Sequence, residues 1–150
     1  KTVVTYGTFD LFHIGHIRLL KRLHALGDRL VVGLSTDEFN QVKGKQVIIP
    51  YEDRKEVLLA CRYVDDVFPE THWEQKRDDL IREQASIFAI GDDWAGKFDE
   101  LEDIVSVLYL PRTKDISTTE LKTVLREIND EKLHEVRNVT THLLELVREL

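Results

Sequence analysis

Apolar residues fall along this chain in two alternating rhythms. Short runs rich in β-branched and aromatic residues occur at Val3–Tyr6, Leu30–Leu34, Asp66–Phe68, Ile87–Ile90 and Val105–Leu110. Gly7, Pro69, Gly91 and Pro111 close four of them, and Ser35-Thr36-Asp37, a set of helix-cap residues, follows the other. Runs of this kind predict buried strands. Between them the spacing turns helical. Ile17, Leu19, Leu20, Leu23 and Leu26 recur on one helix face, with Gly27 as the stop. Pro50 suits the start of a second helix, whose apolar face is read as Val57, Leu58 and Cys61. Trp73 to Gln84 reads as a polar helix with Leu80 and Ile81 inside. Residues 41–49 show no helical period and place Gly44 between two lysines, which predicts a flexible loop. Ser117-Thr118-Thr119-Glu120 has the form of a capping box.

Strands alternating with helices predict an α/β domain, a doubly wound parallel five-stranded sheet with right-handed crossovers. Residues 1–128 form that domain in this reading. Residues 129–150 form a C-terminal helical extension, since Val136, Val139, Leu143, Leu146 and Leu150 step by 3, 4, 3 and 4. That spacing suits a helix packed on the domain or on its twin, or a linker toward a further domain. Ligands of such sheets bind at the carboxyl ends of the strands, so the loops after strands one, four and five are the expected seat of chemistry.

Composition narrows the class. The chain has 150 residues, a formal charge of −7 and a single cysteine. An acidic balance argues against general nucleic-acid binding, which needs a basic face. No apolar run reaches the roughly 20 residues of a membrane helix. One cysteine excludes an internal disulfide framework, and with no signal-like start the expected compartment is the cytoplasm. The chain lacks methionine even at position 1, which suggests an excised or processed piece.

The first loop reads Gly7-Thr8-Phe9-Asp10-Leu11-Phe12-His13-Ile14-Gly15-His16. Two histidines three apart on a first helical turn face the same way. Gly15 between them clears space beside the backbone, and the helix start adds unpaired N–H groups and a positive dipole end. The pattern predicts an anion site faced by two imidazoles. Zinc held by the histidines and Asp10 is the competing chemistry, short of the four ligands a structural site needs. The fourth loop offers Gly91, Asp92, Asp93 and Trp94, and the fifth offers Arg112 and hydroxyls before a second helix start. Lys43 and Lys45 stand as mobile charges able to close over phosphate, or as a solvated turn. Arg54 has a salt bridge as its default role, and Trp73 is either core or a flat wall beside a ligand.

Together these loops resemble the nucleotidyltransferase superfamily with the His-x-Gly-His signature, and within it the cytidylyltransferase branch. The resemblance rests on Gly7–Asp10, His13–His16, Arg62-Tyr63-Val64-Asp65, Gly91-Asp92-Asp93 and Arg112–Thr119, over roughly residues 2–128. Ser35–Asn40, Trp73–Lys76 and Gly91–Asp99 are most similar to bacterial glycerol-3-phosphate cytidylyltransferases. The resemblance implies a Rossmann-like nucleotidyltransferase fold and transfer of CMP from CTP to sn-glycerol 3-phosphate, for teichoic acid or capsule polymers. It implies that His13, His16, Lys43 and Arg112 act in catalysis. Thr8, Phe9, Asp10, Gly15, Gly91, Asp93, Arg112, Thr113, Ile116, Ser117 and Thr118 would hold the nucleotide. Lys43, Lys45, Arg54 and Trp73 would meet the acceptor. Mg²⁺ would ride on the triphosphate with no protein metal site, and Arg62–Asp65 would lie near a homodimer interface. A cytidylyltransferase for phosphocholine or phosphoethanolamine, an adenylyltransferase and a non-catalytic nucleotide-binding module remain as alternatives.

Overall fold

A computed structural model describes residues 1–112 and 118–149, with the side chains of Thr118 and Leu133 left aside. The chain divides into two compact units, Lys1–Asp115 and Ile116–Leu150. In the first, five parallel strands take the order β3-β2-β1-β4-β5: β1 (Thr2–Gly7), β2 (Arg29–Ser35), β3 (Asp66–Glu70), β4 (Ala85–Gly91) and β5 (Ser106–Leu110). The order reverses between β1 and β4. A crevice therefore opens at their carboxyl ends, as the alternation of elements predicts.

The two-residue period of a strand sends neighbouring side chains to opposite faces. Val3, Leu30, Val32 and Leu34 accordingly join Leu20 and Leu23 of α1 (Ile14–His24) and Leu58 of α3 (Tyr51–Ala60). Val4, Tyr6, Val31 and Phe88 join Leu80 of α4 (Lys76–Arg82) and Leu101 of a 3₁₀ turn, Asp99–Asp103. Gly33 is where β2 gives way to the Tyr6 ring, since a Cβ there would lie 2.4 Å from a ring carbon.

Several local expectations are corrected. Pro69 does not end β3 but lies within it, paired with Leu34. A proline is tolerated there because β3 is an edge strand and its missing N–H breaks no ladder. The inward face of α3 is Arg54 and Leu58, one helical turn apart, while Val57 is exposed. The polar segment from Trp73 opens as a 3₁₀ turn, Trp73–Gln75, before the shorter α4. In α4 Leu80 is buried and Ile81 is exposed, while Lys76 and Asp79 are buried. Part of the expected loop at 41–49 is helical, because α2 spans Asp37–Val42 with the Thr36 hydroxyl capping Phe39. Helix α1 ends at His24, before Gly27. The crossover from β4 to β5 uses two 3₁₀ turns in place of an α-helix.

In the second unit, α5 (Thr118–Arg148) is one continuous helix. Val136, Val139, Leu143 and Leu146 on the predicted seam are exposed. The capping box at Ser117, the site expectations on Thr113, Ile116, Ser117 and the Thr118 side chain, and the last seam position, Leu150, lie outside the described residues.

Candidate active site

The loop after β1 ends in a reciprocal cap. His13 is the N-cap of α1, and its Nδ1 accepts from the Gly15 N–H at 3.0 Å. His16 Nδ1 accepts in turn from the His13 N–H at 3.2 Å. The two rings stack with centroids 3.9 Å apart. This is the logic of a capping box, run with imidazoles where serine and glutamate usually stand. A nitrogen that accepts from a backbone N–H carries no proton of its own, so each neutral ring holds its proton on Nε2. Burial pushes both imidazoles below the ordinary histidine value. His16 falls to about 4, where the adjacent His13 adds to the burial and Asp10 opposes it. Near neutral pH the turn is a pair of uncharged Nε2–H donors at a helix start. Phe9 and Phe12 flank His16 with ring centroids 5.3 and 5.4 Å away. Phe9 takes a left-handed φ of 50°, a backbone cost held in place by its packing.

Two buried charges tie this loop to the rest of the sheet edge. The Asp10 carboxylate accepts from Leu11 N–H and also from Ile48 and Ile49 N–H, at 2.8 and 2.9 Å. Arg54 is 2% exposed. It donates to the carbonyls of Ile49, Thr8 and Ser35 and to Asp37 Oδ1, at 2.7–2.9 Å. Arg54 therefore anchors three backbone segments at once, and its pairing with Asp37 is the salt bridge expected of it.

A second cluster sits at the ends of β2 and β3. Lys43, the C-cap of α2, donates to Ser35 Oγ at 2.7 Å and lies 3.9 Å from Glu70. Ser35 Oγ donates to Glu70 Oε1, and Lys76 Nζ donates to Glu70 Oε2 at 2.8 Å. Lys43 is hydrogen-bonded at this edge, and burial lowers its ammonium to about 8. Thr8 Oγ1 donates to Asn40 Oδ1 at 3.0 Å. Trp73 is half-exposed and meets Phe39 edge-on and Trp94 at a tilt. Thr8, Lys43, Lys45, Trp73 and Trp94 line one cleft. Of the predicted residues, Gly91 ends β4, exposed Asp93 follows it in a 3₁₀ turn, and exposed Arg112 follows β5.

Sequence reasoning assigned no site role to Ser35, Asn40, Glu70 or Lys76. The first and third carried a readable signal, being polar residues that close otherwise apolar strands. They pair in register.

Comparisons with known proteins give the family and the fold. A family described as Cytidylyltransferase-like matches residues 4–124. Glycerol-3-phosphate cytidylyltransferase of Bacillus subtilis is 57% identical over 122 residues, 81% of this chain and 95% of the relative. The enzyme of the same name from Staphylococcus aureus is 53% identical over 122 residues, covering 81% and 92%. Among solved structures, a lipopolysaccharide core biosynthesis protein from Thermoplasma volcanium superposes with a TM-score of 0.64 at 25% identity, covering 75% of this chain and 98% of its own.

Proposed function

The chain belongs to the cytidylyltransferase-like family, and from that premise we propose that it transfers CMP from CTP to sn-glycerol 3-phosphate, releasing CDP-glycerol and pyrophosphate. Relatives of that name, more than half identical over nearly their whole length, support the acceptor. The observation that carries the chemistry is the pair of capped imidazoles, neutral and protonated on Nε2, at the mouth of the crevice.

An oxygen of the acceptor phosphate attacks the α-phosphorus of CTP. The bond from that phosphorus to the bridging oxygen of the β-phosphate breaks, and pyrophosphate leaves. The attacking oxygen is already ionised near neutral pH, so no general base is needed. Catalysis is then positioning and charge stabilisation. His13 and His16 donate to the phosphates as charge builds on the pentacoordinate α-phosphorus. Thr8 and its neighbouring N–H groups, beside Gly15, hold the triphosphate, and Lys43 and Lys45 offset its charge. Arg112 adds positive charge for the triphosphate, and Asp93 meets the ribose and base. Asp10 and Arg54 keep the loops in register.

Among the described residues no three carboxylate, imidazole or thiol side chains group to hold a metal. Mg²⁺ would arrive on the CTP triphosphate and would supply charge neutralisation there. Teichoic acid or capsule synthesis is the corresponding cellular role, in the cytoplasm, and a homodimer through Arg62–Asp65 is the proposed assembly. No helix among the described residues is long and apolar enough to cross a membrane.

A cationic acceptor would meet Lys43 and Lys76 beside Trp73, which disfavours phosphocholine. Pyrophosphate release tests the reading directly. It is expected with CTP and sn-glycerol 3-phosphate, and not when ATP replaces CTP or phosphocholine replaces the acceptor. Turnover with phosphocholine alone would reassign the acceptor, and no turnover by folded protein would leave a binding module.

A further inference from the structure

Lys76 enters the cleft from the start of α4 and is 4% exposed. Its ammonium stands 4.6 Å from the Tyr6 ring centroid, 5.4 Å from that of Trp73 and 5.3 Å from that of Phe98. Glu70 Oε2 lies 2.8 Å away. Three aromatic rings and a carboxylate around one positive nitrogen is the arrangement that recognises a quaternary ammonium group. Here the nitrogen belongs to the protein.

We propose that Lys76 determines acceptor specificity by filling, from within, the aromatic and acidic cage that a cationic alcohol phosphate would require. The inference rests on the cytidylyl-transfer reading and names what selects the acceptor at that same cleft. A trimethylammonium or ammonium head could enter only by displacing Lys76 from Glu70 or by standing beside it. Lys43, 3.9 Å from the same carboxylate, strengthens the exclusion. A neutral head bearing hydroxyls meets no such penalty. Rejection is therefore built from a repulsive element, which discriminates among partners as effectively as an attractive contact. The lysine is also the nearer of the two cations beside buried Glu70, so one residue both pairs with that carboxylate and closes the cage.

Trp73 and Trp94 are the chain's two tryptophans and both line this cleft. Intrinsic fluorescence therefore reads its occupancy, with tetramethylammonium as the probe. The expected result is no saturable change in the wild-type protein or in Lys76→Arg, and a saturable change in Lys76→Met. With CTP, Lys76→Met should raise kcat/KM for phosphocholine about tenfold or more, the scale a desolvated cation–π cage supports. Lys76→Met leaves Glu70 without its nearest cation, so Lys76→Met combined with Glu70→Gln serves where the single variant fails to fold. The double variant should bind the probe saturably, though more weakly. Saturable binding by the wild type, or none by either opened variant, overturns the proposal. Wild-type turnover of sn-glycerol 3-phosphate is scored separately. Its absence would sink the parent reading, and the probe titration would still decide whether Lys76 fills a cation cage.

Discussion

The histidine turn and the lysine cleft both lie at the carboxyl edge of the sheet, and they are built in opposite ways. The turn is local. His13 bonds to Gly15 and His16 bonds to His13, so each contact spans two or three residues. The cleft is assembled from afar. Ser35, Lys43, Glu70 and Lys76 come from a strand end, a helix end, a second strand end and the start of a second helix. A local cap needs little beyond its own chain to form. A dispersed ion network exists only after the sheet has paired β2 with β3. In the proposed function the turn serves the phosphates of CTP and the cleft serves the acceptor. Asp10 and Arg54 join the two, since both bond to the segment around Ile48 and Ile49.

The largest expected effect comes from breaking the turn alone. His16→Ala should lower kcat/KM by about 10²–10³-fold, the range of one positioned hydrogen-bond donor to developing charge. Thermal melting should show the fold retained. An unchanged rate would remove the histidines from the chemistry. Breaking the joint comes next. Arg54→Met should destabilise the protein by roughly 3 kcal/mol or more, because Asp37 and three carbonyls lose a buried cation. Urea unfolding reads this directly, and a loss under about 1 kcal/mol would deny Arg54 its anchoring role.

Acid stability sharpens the contrast on the turn side. His16 titrates near 4 in the folded protein, against about 6.5 when unfolded. Between those values the unfolded chain binds more protons. The stability held by the neutral ring is full above about pH 6.5 and is lost as pH falls toward 4. On the order of 1–3 kcal/mol should vanish across that window, and His16→Asn should flatten it. The smallest effect is on the cleft side. Lys43, held near 8 by burial, should give kcat/KM an alkaline limb near that pH, since kcat/KM reports groups of the free enzyme. Lys43→Arg should move the limb upward, and a limb that stays put belongs to another group.

How far each region could be read in advance follows from the same difference. Helical spacing and strand termini were enough to place His13, Gly15 and His16 on one turn, because those contacts are near in sequence. Lys43 was legible as a cation, but its partners were not. Its partners, Ser35 and Glu70, are neighbours only through strand pairing. Arg54 was legible as a salt-bridge residue, and it does pair with Asp37, but on a helix whose apolar face was assigned to Val57, Leu58 and Cys61 its burial was not. It is buried because three carbonyls and Asp37 converge on it. Burial of a charge depends on partners that periodicity does not contain. Pro69 was read as a strand end for a related reason, since whether a proline can stay in a strand depends on whether that strand is an edge.

By itself, then, the sequence determined the five strands, the crossovers between them and the imidazole pair at the first turn. Alternation of apolar residues, Gly and Pro stops and capping contacts act over a few residues and are written in order. Only the tertiary structure decided that Lys76 stands in a cage of Tyr6, Trp73 and Phe98 on Glu70. Those groups meet because β1, β3 and α4 pack together with the loop after β4, and in that low-dielectric space a lone cation or carboxylate must find a partner wherever the fold supplies one.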